Sequence, residues 1–299
     1  MLNKLTTKNI LILSILFHFI ASIFSTGFHH FDEQFQIYEF LNFKLGKSPS
    51  SDLPWEFPEM VRPWFQVYIY YYITKALNFF TIINPFIISF FFRLTTSLFG
   101  VYALYTLLPH IKTWITDKKG QQLAFSLLNL SWFIPYIQTR TNAESMSSSF
   151  FIVGFSYFLN LTSNENDKQS RNAIFAGLFL GASYACRYQL ALMVAFLWFW
   201  GIFSKKIKMK ALFLTALAIS FMIVANIGVD FLGYGKWTFA PINLFTSNFT
   251  DGRLENTGLS PWWYYFKKSF LIKYKLNRFY SKGKLKLIFN VLFFLYLYR

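Results

Sequence analysis

The sequence predicts an all-α membrane protein, built as a multi-span bundle of transmembrane helices. Of its 299 residues, 55% are hydrophobic and only 14% are charged, whereas a soluble domain carries about 25% charged residues. The 40 Phe residues exceed what one water-soluble core of this size would bury, but lipid accommodates them. Lys and Arg gather in short loops between apolar runs, which is the pattern of membrane topology.

Apolar stretches along the chain give the candidate spans. A membrane-spanning helix needs about 20 largely apolar residues, and the stretches that come near this are 8–26, 85–109, 121–137, 145–161, 172–185, 190–203 and 211–229. Residues 64–80 are rich in Tyr and follow Arg62-Pro63, so we interpret them as an aromatic helix at the membrane interface. The apolar stretch 287–298 is too short to be a span.

The basic loops predict the orientation. Lys4 and Lys8 precede the first apolar run, and further Lys and Arg residues lie in 110–120, 168–171 and 205–210. Basic loops favour the cytoplasmic side. The parts of the chain that then share the non-cytoplasmic side are 27–63, 138–144, Arg187 and 230–266. If 64–80 spans the membrane, every later loop inverts.

Charge and cysteine content narrow the function classes. The net charge is +16, but nine basic residues and no acid lie in 267–299. The remaining excess of basic over acidic residues lies mainly in the short loops. No nucleic-acid motif accompanies it, so we expect no nucleic-acid partner. Cys186 is the only cysteine, which excludes an intrachain disulfide. The first apolar run has no Ala-x-Ala cleavage site, so we expect it to remain as a helix.

Adjacent acids follow the first apolar run. Asp32 and Glu33 lie at a membrane exit, where carboxylates are costly unless they serve a purpose. One of them could act as a general base in sugar transfer, or both could begin an interfacial helix. His29 and His30 stand beside them, but the spacing is not that of a metal site.

The segment 52–63 is a loop, because its prolines forbid a regular helix. Trp55 could stack on a sugar ring, Glu56 adds a carboxylate, and Arg62 could pair with a carboxylate or phosphate. The alternative interpretation is a loop that anchors the protein at the interface.

A third polar group, Gln138 to Ser145, separates two candidate spans. Arg140 and Glu144 could form a local i,i+4 ion pair, or they could extend the site, with Glu144 orienting an acceptor and Arg140 neutralising a phosphate. Arg187 stands between two short apolar runs, where an arginine indicates a functional site. A phosphate, Asp32 or Glu144 would each satisfy its charge.

The fourth group is Gly- and aromatic-rich and includes Tyr234 and Trp237. It starts at Asp230 and continues to the aromatic run 261–265. Such a loop could hold an acceptor glycan, or it could pack at the interface.

Together these groups resemble the family 22 glycosyltransferases of the multi-span GT-C superfamily. The matching residues, in order, are Asp32-Glu33, Pro54-Trp55-Glu56 with Arg62, Thr139 to Asn142 with Glu144, Asp230, Tyr234-Gly235, Trp237-Thr238, Pro241, Asn243 and Pro261 to Phe266. Each motif alone is weak, but their order over residues 27–266 is specific.

The resemblance implies an inverting transfer of mannose from a polyprenyl-phosphate-linked donor to a glycan or glycolipid acceptor. It implies that Asp32 is the catalytic base, with Glu33 supporting or sharing that role, and that Arg140 and Arg187 stabilise the leaving phosphate. Further substrate contacts are expected from Trp55, Glu56, Arg62, Asn142, Glu144, Tyr234 and Trp237. No metal or other cofactor is implied.

The resemblance also sets the expected organisation and location. Residues 1–266 would form the glycosyltransferase module, with about seven spans, in a bacterial inner membrane or an endoplasmic reticulum membrane. The basic tail 267–299 departs from the family pattern and suggests truncation or a frameshift. A transporter or lipid flippase, or an inactive glycosyltransferase remnant, remains an alternative function.

Overall fold

The structure is a computed structural model that describes residues 6–162, 168–204, 206–251, 260–261 and 263–268. Throughout these ranges the chain forms helices and loops without a β-strand. The helices are α1 Thr7–Phe24, α2 Glu39–Lys44, α3 Phe65–Phe79, α4 Pro85–Thr106, α5 Leu108–Trp114, α6 Lys118–Leu130, α7 Phe133–Gln138, α8 Ala143–Asn160, α9 Gln169–Cys186, α10 Ala191–Phe203, α11 Met209–Tyr234 and α12 Ala240–Phe245. The predicted all-α class is confirmed.

Local sequence explains where the helices near the site begin and end. Asn142 caps α8 by accepting a hydrogen bond from the backbone N–H of Ser145 at 2.9 Å, the usual role of Asn at this position. Helix α11 ends at Gly235, whose φ of +72° is in the left-handed region that glycine adopts without strain. A π-helical turn, Glu33–Tyr38, precedes α2 and carries one of the predicted acids.

Among the described helices, three are long and apolar enough to cross a membrane: Thr7–Phe24, Pro85–Trp114 and Met209–Tyr234. They support the prediction of a membrane protein. The predicted span 121–137 is divided between α6 and α7 at Ser131 and Trp132. Helix α10 has 13 residues, too few for a straight crossing. Seven crossings and the orientation therefore stay predictions.

Helix α9 packs closely against α8 and α11 through small residues. A Cβ added to Gly177 would lie 2.4 Å from the carbonyl oxygen of Thr215, and one added to Gly154 would lie 2.8 Å from the backbone nitrogen of Leu180. Such contact between small residues is how helices associate in lipid. Arg187 directly follows the C-terminus of α9, so this packing determines its position.

A second core surrounds the indole of Trp64, which is fully buried at the start of α3. Phe40 and Tyr234 pack on it with ring centroids 5.1 and 5.5 Å away. Through Trp64 and Tyr234 this core packs the loop 54–63 against the end of α11.

The chain divides into two compact units, with residues 2–244 in one and 245–299 in the other. The candidate site lies in the first unit. In the second, a π-helical turn covers Thr246–Thr250, and the described part ends at Lys268. The rest of the predicted basic tail, the apolar stretch 287–298 and Trp262 of the last motif lie outside the described residues.

Candidate active site

Glu33 joins two segments that are far apart in sequence. Its side chain is buried, with 1% of the residue exposed. Oε1 accepts the backbone N–H of His29 at 2.8 Å, and Oε2 accepts both the N–H and the hydroxyl of Thr141, at 3.2 and 3.1 Å. Hydrogen bonds to a carboxylate are the strong kind. Glu33 therefore fixes the loop after α1 against the segment between α7 and α8.

Asp32 precedes Glu33 and has a more open environment. Its side chain is 16% exposed, and Oδ1 lies 3.4 Å from Nδ1 of His30. It occupies the N-cap position of the following π-helical turn, with Glu33 in the first turn, but its side chain makes no capping hydrogen bond. The acids therefore do begin a helical turn, as the alternative interpretation expected, and the carboxylate of Asp32 is not used as a cap. A partly exposed carboxylate can come within hydrogen-bond reach of a substrate hydroxyl, which a general base must do.

Arg140 lies beneath the loop that carries these acids. It is 5% exposed, and its guanidinium carbon is 4.2 Å from the ring centroid of Tyr136. Nη1 donates to the carbonyl of Gly27 at 3.4 Å, whereas the buried Nε–H has no hydrogen-bond partner within the described ranges. Arg140 thus keeps donor capacity close to the acids.

A second arginine at this loop, Arg93 on α4, was not predicted from the sequence. Its guanidinium donates to the carbonyl of Ser25, and to that of Gly27 at 3.2 Å. These carbonyls follow the end of α1 and lack helical partners of their own. A lone cation in an apolar span was the signal that would have found it.

Tyr38 lies at the other end of the π-helical turn. Burial raises the pKa of its phenol, and the nearby carboxylate of Glu33 raises it further, while Arg93 lowers it. The phenol therefore stays neutral and can act as a donor.

Glu144 pairs with Arg187 rather than with Arg140. The Glu144 carboxylate oxygen and Nη1 of Arg187 are 2.7 Å apart, and the two side chains are 47% and 25% exposed. The predicted alternative of a local pair between Arg140 and Glu144 is therefore wrong, and the arginine at the end of α9 obtains a carboxylate partner from the start of α8.

Glu56 and Arg62 face each other across the loop 54–63. The distance from Nη2 of Arg62 to Oε1 of Glu56 is 3.5 Å, and Gln36 donates to the same oxygen at 3.5 Å. The hydroxyl of Tyr234 accepts the backbone N–H of Arg62 at 3.1 Å and donates to its carbonyl at 2.8 Å. Three of the predicted site residues therefore form one cluster.

A cavity of about 20 Å³ joins this cluster to the start of α8, enough for about one water molecule. Its lining includes Gln36, Arg62, Gln66 and Arg187. Gln66 also donates to the carbonyl of Thr141 at 2.8 Å, so it links the cavity to the segment that holds Glu33. Within the unit formed by residues 2–244, hydrogen bonds connect parts of all four predicted groups: Glu33 with Thr141, Gln36 with Glu56, and Arg62 with Tyr234.

Trp55 and Trp237 do not line this cavity. Trp237 is 71% exposed and stacks on Phe231 with a centroid distance of 4.3 Å.

Asp230 was predicted only as part of a sequence motif, but its buried carboxylate accepts several hydrogen bonds. It accepts the backbone N–H of Trp64, the hydroxyl of Tyr188 and the amide of Asn226 at 2.8, 3.1 and 2.9 Å.

The described residues contain no group of three or more His, Cys, Asp or Glu side chains that could hold a metal ion. The positive groups at the site are arginines, which recognise phosphate without a metal. The arrangement offers an accessible carboxylate, a braced one and several guanidinium groups.

Comparisons with known proteins find mannosyltransferases. The sequence pattern described as the Alg9-like mannosyltransferase family matches residues 9–283. Mannosyltransferase APTG1 of Arabidopsis thaliana is 25% identical over 239 residues, which are 74% of this chain and 40% of that protein. The chain therefore spans less than half the length of this curated relative. No solved structure matches significantly.

Proposed function

The chain belongs to the Alg9-like mannosyltransferase family, and on that premise we propose that it transfers mannose from a polyprenyl-phosphate-linked donor to a glycan or glycolipid acceptor. The observation that carries this proposal is the partly open carboxylate of Asp32 beside the buried, triply hydrogen-bonded carboxylate of Glu33. One acid is free to contact a substrate, and the other holds the loop.

The reaction is a displacement at C1 of the donor mannose. Asp32 takes the proton of the acceptor hydroxyl while the oxygen attacks C1 from the face opposite the phosphate. The bond between C1 and the phosphate oxygen breaks, its electron pair goes to the phosphate, and the configuration at C1 inverts. Asp32 then passes its proton to solvent. Glu33 serves as a positioning residue, because its oxygens already hold three donors.

Charge stabilisation falls to the arginines. The growing negative charge on the leaving phosphate needs donors arranged in advance, and Arg140 has a buried N–H without a partner within the described part of the chain. Arg187 and Arg62 each lie against a carboxylate, which favours contacts with sugar hydroxyl groups over a phosphate. This distinguishes Arg140 from the other two.

The loop charges support a site on the non-cytoplasmic face of a multi-pass protein. A leaving group that is itself a membrane lipid is the physical reason for a helical bundle embedded in the bilayer, because the reacting bond then lies at the membrane surface. The remaining site residues, Trp55, Asn142 and Trp237, act on the acceptor side.

The test is transfer of labelled mannose from polyprenyl-phosphate-mannose into lipid-linked products, using membranes that contain the 299-residue chain. We expect transfer by the unaltered chain and a loss of at least about 100-fold in Asp32→Asn. The control is Asp52→Asn, since Asp52 is an exposed acid bonded to its neighbour Ser51. Full activity in Asp32→Asn would overturn the assignment of the base. Transfer from GDP-mannose alone would overturn the assignment of the donor.

A further inference from the structure

An open groove of about 460 Å³ runs between α1 and α7. Its lining includes Phe17, Ile20 and Phe24 from α1, Trp132 and Tyr136 from or beside α7, and Arg140. The α1 residues belong to a helix long and apolar enough to cross a membrane, so this part of the groove opens toward lipid.

Arg140 closes one end of this groove. Phe17 to Phe24 covers about two helical turns, or about 10 Å, and Arg140 contacts the carbonyl of Gly27 just beyond them at 3.4 Å. The groove therefore has aliphatic and aromatic walls along its length, and among its described lining residues Arg140 is the charged one. Within the described ranges the buried Nε–H of that cation is unpaired, and such a group costs free energy until a ligand satisfies it.

The acids of the candidate site meet the groove at the same end. Tyr136 lies 3.0 Å from Nδ1 of His29 through its hydroxyl oxygen, and Thr141, next to Arg140 in the chain, holds Glu33. An anionic group on Arg140 would therefore lie under the loop that carries Asp32.

We propose that this groove binds the donor lipid, with the isoprenoid chain along α1 and the phosphate on the guanidinium of Arg140. The inference rests on the proposed function and adds the route by which the donor enters the site, from the bilayer between α1 and α7. Tyr136 and Trp132 belong to the residue types that prefer the level of the lipid headgroups, which suits a chain that passes from hydrocarbon to phosphate.

A second groove on the same protein offers a matched comparison. It has a volume of about 340 Å³ and lies between α10 and the middle of α11, with Ala191, Ala195, Trp198 and Ser220 among its lining residues. Among the residues that the structure describes, no charged side chain lines it, so it can accept hydrocarbon but offers no cation to a phosphate. Ala21 lines the first groove and Ala195 lines the second, so the same substitution can be made in each.

The experiment measures binding of polyprenyl phosphate, polyprenol and phosphatidic acid to the full chain in detergent by native mass spectrometry. We expect polyprenyl phosphate to bind at least about tenfold more tightly than polyprenol, because the phosphate gains charge-assisted hydrogen bonds. Ala21→Trp should weaken polyprenyl phosphate binding by about tenfold or more through steric filling, while Ala195→Trp should leave it within about twofold.

Arg140→Gln should lower the affinity for polyprenyl phosphate to that for polyprenol. Arg140→Lys should restore part of the difference between the two affinities, because it keeps the charge. Ala21→Trp keeps Arg140 and so tests the groove even if Arg140→Gln does not fold. Unchanged binding in Ala21→Trp, an equal loss in Ala195→Trp, or equal affinity for phosphatidic acid would each overturn the proposal.

These outcomes are separable from the mannose-transfer assay. If Ala21→Trp still transfers mannose and binds polyprenyl phosphate as before, the proposed function is supported and the groove is not the donor site. Selective binding that Ala21→Trp abolishes, in a chain that transfers no mannose, would support the groove and count against the proposed function.

Discussion

Thr141 donates both its backbone N–H and its hydroxyl to one oxygen of Glu33, at 3.2 and 3.1 Å. Glu33 lies at the beginning of a π-helical turn after α1, and Thr141 lies between α7 and α8, 108 positions further along the chain. Both residues are buried. The contact therefore holds the acid-bearing loop on the bundle, and it explains why two neighbouring acids have different roles.

Glu33→Gln should destabilise the protein by about 2 kcal/mol, because it replaces a charged acceptor of three hydrogen bonds with an amide. Thermal unfolding in detergent measures the effect. Thr141→Val, which removes one of the donors, should cost less, and Thr141→Ser should behave as the unaltered chain. An unchanged unfolding temperature in Glu33→Gln would show that the contact does not hold the loop.

Asp32→Asn should leave the unfolding temperature within about 1 °C while it abolishes transfer, since its side chain makes no capping hydrogen bond and asparagine has nearly the same size, so no cavity or strain is introduced. The two acids then separate into one that acts and one that positions. Membrane insertion, measured by extraction with carbonate, should be the same as in the unaltered chain. A large loss of stability in Asp32→Asn would instead make it a second structural acid.

Glu144 and Arg187 should contribute little to stability despite their 2.7 Å contact. Their side chains are 47% and 25% exposed, and pairs in such positions typically show coupling of about 0.5 kcal/mol. A double-mutant cycle with Glu144→Gln and Arg187→Gln measures this coupling in unfolding. If the pair orients a substrate, the same cycle in the transfer assay should show a larger coupling, carried mainly by KM.

A coupling in unfolding above about 2 kcal/mol would contradict this and would indicate that the pair is buried in the membrane. The exchange Glu144→Arg with Arg187→Glu is a further control. It keeps an ion pair but reverses its position, so it should keep stability and lose transfer if the location of the cation matters.

The sequence was sufficient to predict the helical membrane class, because apolar content and the spacing of basic loops follow from what lipid tolerates. It also identified segments that contact one another within residues 2–244, such as those of Glu33 and Thr141, since the polar residues were confined to a few loops. It could not predict the partner of each charge. Arg140 and Glu144 have i,i+4 spacing, yet Glu144 pairs with Arg187 at the end of α9, a contact set by how α8 packs on α9.

Other features depended on packing and lay beyond local patterns. Asp230 is one acid among many in the sequence, but the structure makes it the acceptor for a backbone N–H of Trp64. The break between α6 and α7 at Ser131 carries no proline or glycine at the break itself. The apolar period continued through it, and the sequence analysis therefore combined the two helices into one span.

Gly233 and Gly228, both on α11, should respond in opposite ways to alanine. A Cβ at Gly233 would lie 2.1 Å from Cδ2 of Trp64, whereas one at Gly228 would meet nothing within 4 Å. The indole cannot retreat easily, because Trp64 is fully buried and its backbone N–H is fixed by Asp230 at 2.8 Å. We therefore expect Gly233→Ala to destabilise the protein by about 2 kcal/mol. This cost exceeds the stabilisation that alanine gains from its higher helix propensity.

Gly228→Ala should stabilise the protein by up to about 1 kcal/mol, since it only restricts the unfolded backbone and favours the helix. Unfolding of both variants in the same detergent makes the comparison direct. Because Trp64 is followed by α3 and preceded by Arg62 and Pro63, a shift of the indole should also move the Arg62 cluster. Gly233→Ala should then raise KM for the acceptor, and a variant that loses stability with an unchanged KM would separate the Trp64 core from the site.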